Sequence, residues 1–68
     1  MKDMNKAERM IWKAAQDVVS TKRGKNEFTT ADYAMGQFNA FCEMALSLEQ
    51  TTEERIAEIK KMAARKTY

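Results

Sequence analysis

Apolar residues recur at alternating intervals of three and four positions along the first part of the chain. This seam consists of Met4, Ala7, Ile11, Ala14 and Val18. A second apolar row lies beside it and contains Trp12, Ala15 and Val19, so the apolar arc covers roughly 200° of a helix. The spacing predicts an amphipathic helix over about residues 3–21, with Asp3 as its N-cap.

The segment KRGKNEF, residues 22–28, interrupts this pattern. Gly24 can adopt a positive φ after the first helix ends, and the basic residues beside it suit a helix C-terminus. A second helix is then predicted over about residues 30–49. Its N-cap is Thr29 or Thr30, and Asp32 lies in its first turn, where the helix dipole favours a carboxylate.

The second helix is the most apolar of the predicted elements, with an apolar arc of roughly 220°. Between Thr29 and Gln50 the chain has three acidic residues and no basic one. We therefore expect a central helix that is contacted on two or more sides. A strip of small residues either permits close approach of another helix or faces solvent; it consists of Gly36, Ala40 and Ser47.

A third helix is predicted over about residues 52–66. Thr51 is followed three positions later by Glu54, which matches a capping box at the helix start. The apolar stripe is narrow and consists of Ile56, Ile59, Met62 and Ala63. Acidic residues come first and basic residues last, as the helix dipole favours. The alternative is that the break at Thr51 is a kink within one long helix.

Composition agrees with an all-α fold in one small domain, residues 1–68. The chain has no proline, and good helix formers dominate it. Thirty of its 68 residues are hydrophobic, but ten of these are alanine, which contributes little buried area. One cysteine and no histidine exclude an internal disulfide and the usual zinc sites. A helical hairpin or three-helix module with so thin a core is expected to self-associate into a helical oligomer or to dock on a partner.

Charge is distributed unevenly and suggests a candidate anion site. Residues 1–28 carry a net charge of +3, residues 29–50 of −3 and residues 51–68 of +2. A basic cluster precedes the second helix, whose free N–H groups and dipole attract anions. Tyr33 would offer a stacking surface one turn on. The candidate ligand-binding residues are Lys22, Arg23, Lys25, Thr29, Thr30 and Tyr33. The alternative is that the cluster only solvates a loop and caps the first helix.

Large apolar side chains at the edges of the predicted arcs suggest a protein interface. Trp12 and Tyr33 lie at such edges, where an aromatic ring covers a core or anchors a partner. Methionine is frequent, with six in the chain, and methionine-rich surfaces adapt to partners. The candidate partner or oligomer interface comprises Met4, Met10, Ile11, Trp12, Gly36, Ala40 and Met44.

Several function classes are disfavoured. No histidine, phosphate-binding loop or nucleophile motif is present, so we expect no catalytic residues, no metal and no cofactor. No apolar run spans a membrane, no secretory signal is evident, and a lone Cys42 fits the reducing cytoplasm. A nucleic-acid partner is less favoured because the sequence pI is near 8.8 and acids are interspersed with the bases.

The leading hypothesis is a non-enzymatic helical protein that oligomerises and inhibits or regulates a protein partner. Its composition resembles that of small phage or plasmid accessory proteins, which commonly bind a host macromolecule. Two alternatives remain. One is an oligomer that sequesters an anionic ligand such as a nucleotide or cyclic nucleotide through the basic loop. The other is a small nucleic-acid-binding regulator.

Overall fold

The computed structural model describes residues 3–24 and 30–66. Over these residues it consists of three α-helices: α1 spans Lys6–Lys22, α2 spans Ala31–Ser47 and α3 spans Glu53–Lys66. No strand occurs in these two segments. The all-α, three-helix prediction is therefore confirmed. The alternative of a single kinked helix is wrong, because a turn and an extended stretch separate α2 from α3.

The contacts at the helix ends define an up-down-up arrangement. Glu8 at the start of α1 pairs with Arg55 at the start of α3, and Arg23 after α1 reaches Ala64 near the end of α3. These two helices therefore run parallel, and α2 runs antiparallel to both. α1 packs against α2 and α3, whereas α2 and α3 contact each other far less. The expectation that the second helix is central is wrong: α1 holds that position.

α1 begins at Lys6, three residues later than the predicted span, and its N-cap is Asn5 rather than Asp3. The Glu8 N–H donates to Asn5 Oδ1 at 2.8 Å, and the Asn5 N–H donates to Glu8 Oε1 at 3.1 Å. This reciprocal pair is a capping box. Asn5 also donates from Nδ2 to the Gln50 carbonyl at 2.6 Å. Only Asn5 has both the glutamate three residues on and this tertiary bond, which explains the later start.

The end of α1 and the start of α2 follow the predicted chemistry. Gly24 has a φ of 71°, and its N–H donates to the Thr21 carbonyl at 3.0 Å. Of the two predicted caps for α2, Thr30 is the one observed, because its hydroxyl oxygen accepts from the Tyr33 N–H. Residues 25–29, and with them the predictions for Lys25 and Thr29, lie outside the described residues.

α2 ends in a Schellman motif that the sequence did not reveal. Glu49 adopts a φ of 56°, and the Gln50 N–H donates back to the Ala45 carbonyl at 2.8 Å. The Glu49 N–H meanwhile donates to Leu46 at 3.1 Å. A glutamate in this left-handed position is unusual, since glycine is the common residue there. The prediction of a helix to about residue 49 was therefore two residues too long.

The predicted capping box at the start of α3 is also corrected. The Thr52 hydroxyl, not that of Thr51, accepts from a helical N–H, that of Arg55, at 3.2 Å. The buried Thr51 donates its hydroxyl proton to Glu8 Oε2 at 3.0 Å. Thr51 has been recruited into a tertiary contact, so Thr52 caps the helix one position later.

The core is unusually rich in alanine. Within residues 3–24 and 30–66, half of the ten buried hydrophobic residues are alanines; the set comprises Ile11, Ala14, Ala15, Val18, Ala34, Phe38, Cys42, Ala45, Ile59 and Ala63. Partly buried residues cover this core, among them Met4, Trp12 and Ile56. Small side chains let helices approach closely but remove little apolar area from water, at roughly 25 cal/mol per Å². The isolated chain is therefore expected to be only modestly stable.

The two glycines should respond oppositely to replacement by alanine. Gly24→Ala should destabilise the fold by about 1 kcal/mol, because a Cβ is strained at positive φ. Gly36→Ala should stabilise it by about 0.5–1 kcal/mol, because Gly36 lies inside α2 and a Cβ there meets nothing within 4 Å. Urea unfolding of both variants checks this pair. Destabilisation by Gly36→Ala would show that another surface lies against that position.

Candidate functional site

An exposed apolar strip runs along α2. We define the α2 strip as Tyr33, Gln37, Ala40, Met44 and Leu48, whose spacing of three and four residues places them on one side of the helix. Tyr33 is 62% exposed, Met44 50% and Leu48 59%. Tyr33 is held by Gln37, whose Nε2 donates to the phenol oxygen at 3.2 Å. These large apolar groups lie outside the core.

A shallow groove borders this strip where α2 meets α1. It has a volume of about 190 Å³ and is walled mainly by apolar groups, including Met10, Phe41, Met44 and Leu48. Met10 is 39% exposed. Groove and strip together form a continuous apolar surface, the feature that commonly marks an interaction site.

The structure separates the predicted interface residues into three groups. Met10, Gly36, Ala40 and Met44 are exposed. Met4 and Trp12 are partly buried against the core. Ile11 is 0% exposed and belongs to the core itself, so it supports the fold rather than an accessible surface. The seam that includes Ile11 faces inward because α2 and α3 both pack on that side of α1.

Most of the described residues of the predicted anion site make other contacts in the structure. The Arg23 guanidinium donates from Nη2 to the Ala64 carbonyl at 3.0 Å. The Thr30 hydroxyl is engaged as the α2 cap, and Tyr33 is part of the α2 strip. Lys22 is exposed at the end of α1. Binding of an anionic ligand at this loop remains a prediction.

Lys22 instead lines a second groove that the sequence did not suggest, to which α1, α2 and α3 all contribute residues. We define the basic groove by Lys22, Lys60, Val19, Met35, Phe38 and Ala64; its volume is about 240 Å³. The Lys60 ammonium lies 5.7 Å from the centre of the Phe38 ring, within the range of a cation–π interaction. Two lysine side chains thus line an apolar depression. The sequence indicated Lys60 only as part of the basic end of the third helix, because the meeting of Lys22 and Lys60 at one groove depends on how the helices pack.

A buried carboxylate joins the starts of α1 and α3. Glu8 is 2% exposed and accepts hydrogen bonds from Arg55 through both carboxylate oxygens, from Thr51 and from the Asn5 N–H. The Arg55 hydrogen bond is the main reason that the pKa of Glu8 lies below its ordinary value. Glu8 in turn raises the pKa of Arg55. The sequence signal for this site was the Asn5–Glu8 spacing of a capping box, which the prediction of a cap at Asp3 overlooked.

The remaining chemistry is sparse. Cys42 is buried, and this desolvation raises the pKa of its thiol, as expected of an unreactive core cysteine. Within residues 3–24 and 30–66, no group of three potential metal-ligating side chains was found. None of the helices described there is both long and apolar enough to span a membrane. Comparison with protein families, curated proteins and solved structures found no match to this chain.

Proposed function

We propose that this protein is a non-enzymatic helical interaction module that self-associates and regulates a protein partner through the α2 strip. The observation that carries the proposal is the placement of Tyr33, Met44 and Leu48, all at least half exposed on one side of α2. The proposal locates the module in the cytoplasm, where the thiol of Cys42 stays reduced.

The energetics of the fold support the proposal that the α2 strip is covered in the functional protein. The core has few large side chains, while several of the largest apolar groups are in water. Fully burying a leucine, methionine or phenylalanine contributes about 1.5–3 kcal/mol. Covering the strip would therefore add stabilisation comparable to that of the chain's own core residues. Association is a common source of this additional stabilisation in so small a domain.

The chemistry of the strip fits a protein partner. Its large side chains are aromatic, aliphatic and thioether groups, with one amide, Gln37, and a small residue, Ala40, at the middle. Aromatic residues and methionine are enriched at protein interfaces, and charged residues are depleted from interface cores. A helix of a partner can lie along such a three- and four-residue pattern.

A matched pair of alanine substitutions tests the proposal. Ala40 and Ala57 are both exposed helical alanines, the first on the strip and the second on α3. Ala40→Arg should abolish concentration-dependent association in sedimentation velocity, because an arginine at the centre of the strip blocks close approach. Ala57→Arg should associate like the unmodified protein. Both variants should keep the helical circular dichroism spectrum, since arginine is a good helix former.

The same pair extends the test to a heterologous partner. A partner captured from a nuclease-treated host lysate should be retained by Ala57→Arg and lost with Ala40→Arg. Nuclease treatment excludes bridging by nucleic acid. A protein that sediments as a monomer at every accessible concentration would contradict the self-association proposal, and equal behaviour of the two variants would contradict the assignment to the strip.

A further inference from the structure

We infer that the basic groove of one copy receives the acidic outer face of α2 from a second copy, so that copies join head to tail. This inference rests on the proposed self-association and names the two surfaces that meet. The receiving surface is the groove bordered by Lys22 and Lys60. The inserted surface is the α2 strip together with the adjacent acidic residues Asp32 and Glu43.

The receiving surface combines apolar contact with positive charge. Val19, Met35, Phe38 and Ala64 provide its apolar lining, and two basic residues, Lys22 and Lys60, also line it. At about 240 Å³, the groove is smaller than the roughly 300–1,000 Å³ of pockets that enclose small molecules. It is open enough to accept side chains projecting from a helix. The occupant that suits it is an apolar segment that carries carboxylates.

The chain itself supplies such a segment. α2 contains no lysine or arginine, and its exposed face carries Asp32 and Glu43. Each acid directly precedes a strip residue, Tyr33 or Met44, so both carboxylates lie about 100° around the helix from the strip and flank it along the same side. Eleven residues separate the two acids, or about 16 Å along the helix at 1.5 Å per residue. A second copy therefore offers both properties that the basic groove selects.

Charge favours this pairing over the symmetric alternative. If two α2 helices packed face to face, two acidic segments, each with no basic residue between Thr29 and Gln50, would lie together. Like charges held close at an interface cost free energy, whereas complementary patches attract and orient the partners. Insertion of α2 into the groove replaces that repulsion with carboxylate–ammonium attraction.

The pairing uses two different surfaces of each copy, so every copy can donate one and accept the other. Such a heterologous interface closes into a ring or continues as a chain. A variant damaged in one surface can still use its other surface. This property allows complementation between two variants, neither of which self-associates.

The test uses two charge-altered variants. The groove variant is Lys22→Glu with Lys60→Glu, and the α2 variant is Asp32→Asn with Glu43→Lys, which places no cation in the first turn of α2. Each should sediment as a monomer at concentrations where the unmodified protein associates. An equimolar mixture should form a 1:1 heterodimer and nothing larger, because each pair retains one intact groove and one intact α2 face. Circular dichroism establishes that both variants are folded.

Salt dependence of the unmodified protein is an independent measurement that needs no variant. Raising the ionic strength from about 0.05 to about 0.5 M should weaken the association at least tenfold, because screening removes the attraction between exposed charges. A symmetric α2 interface would instead strengthen, since the same screening relieves its repulsion.

The outcomes separate this inference from the proposed function. A monomeric unmodified protein would overturn both. Association of the unmodified protein that is unchanged in the groove variant, or that strengthens with salt, would overturn the inference and leave the self-association proposal standing. Should a variant fail to fold, the salt dependence and the single substitution Lys22→Glu at the exposed end of α1 decide the question.

Discussion

Ile11→Ala is expected to lower the free energy of unfolding by about 3 kcal/mol, within the 2–5 kcal/mol range for removing a large buried aliphatic side chain. Ile11 is 0% exposed at the centre of α1. Its neighbours in the core include several alanines, whose short side chains cannot extend to fill the cavity. For a domain of 68 residues, total stability is roughly 3–10 kcal/mol, so the variant should lose a large part of its stability.

Urea unfolding followed by circular dichroism measures this loss, with Leu48→Ala as the matched control. Leu48 loses a comparable number of atoms but is 59% exposed, so its cost in the dissociated chain should stay below about 1 kcal/mol. Both variants should be measured at protein concentrations low enough that the unfolding midpoint no longer depends on concentration. Equal losses in the two variants would show that the packing of α1 differs from that described.

Glu8→Gln is expected to destabilise the protein by about 2 kcal/mol at neutral pH, in the range for hydrogen bonds to charged groups. The substitution preserves the shape of the side chain and leaves an oxygen for one donor. It removes the charge that Arg55 faces and replaces one carboxylate oxygen, which accepts from Arg55 and from either Thr51 or Asn5, with an amide group that cannot accept. Because these contacts join the starts of α1 and α3, the loss should appear as a lower midpoint for cooperative unfolding.

The same carboxylate makes stability dependent on pH. The pKa of Glu8 in the folded protein lies below its ordinary value of 4.5, so the unfolded chain binds this proton more readily than the folded one. The stabilisation is therefore fully present above pH 4.5 and is lost as the pH falls through the lower, folded pKa. Unfolding free energies measured from neutral to acidic pH should fall more steeply for the unmodified protein than for Glu8→Gln.

Glu43→Gln provides the control for this titration. Glu43 is an exposed carboxylate on α2, so in the dissociated chain its removal should leave the acid-induced loss of stability close to that of the unmodified protein. If Glu8→Gln retained the full acid dependence, the coupling between α1 and α3 through Glu8 would be excluded as its source.

Local sequence patterns were sufficient to predict the features that depend on a few consecutive residues. The three- and four-residue spacing of apolar groups predicted three helices, because a helix places such positions on one face whatever surrounds it. The positive φ at Gly24 and the cap at Thr30 followed similarly from the chemistry of single residues. The start of α1 is also encoded by nearby residues, since Asn5 and Glu8 have the spacing of a capping box. The sequence prediction placed the N-cap at Asp3 instead.

Tertiary structure decided which face of each helix became the core and which groups met across the fold. An apolar arc of roughly 220° on the second helix left open which part is buried; packing on α1 buried Phe38 and Cys42 and left Tyr33, Met44 and Leu48 in water. The Thr51 hydroxyl does not cap α3 but donates to Glu8, a residue 43 positions away. Lys22 and Lys60 likewise line one groove only because α1 and α3 run parallel. The sequence by itself determined the helices and their local ends, since these depend on interactions within a turn or two; the candidate surfaces depend on contacts between distant residues, which only the folded chain brings together.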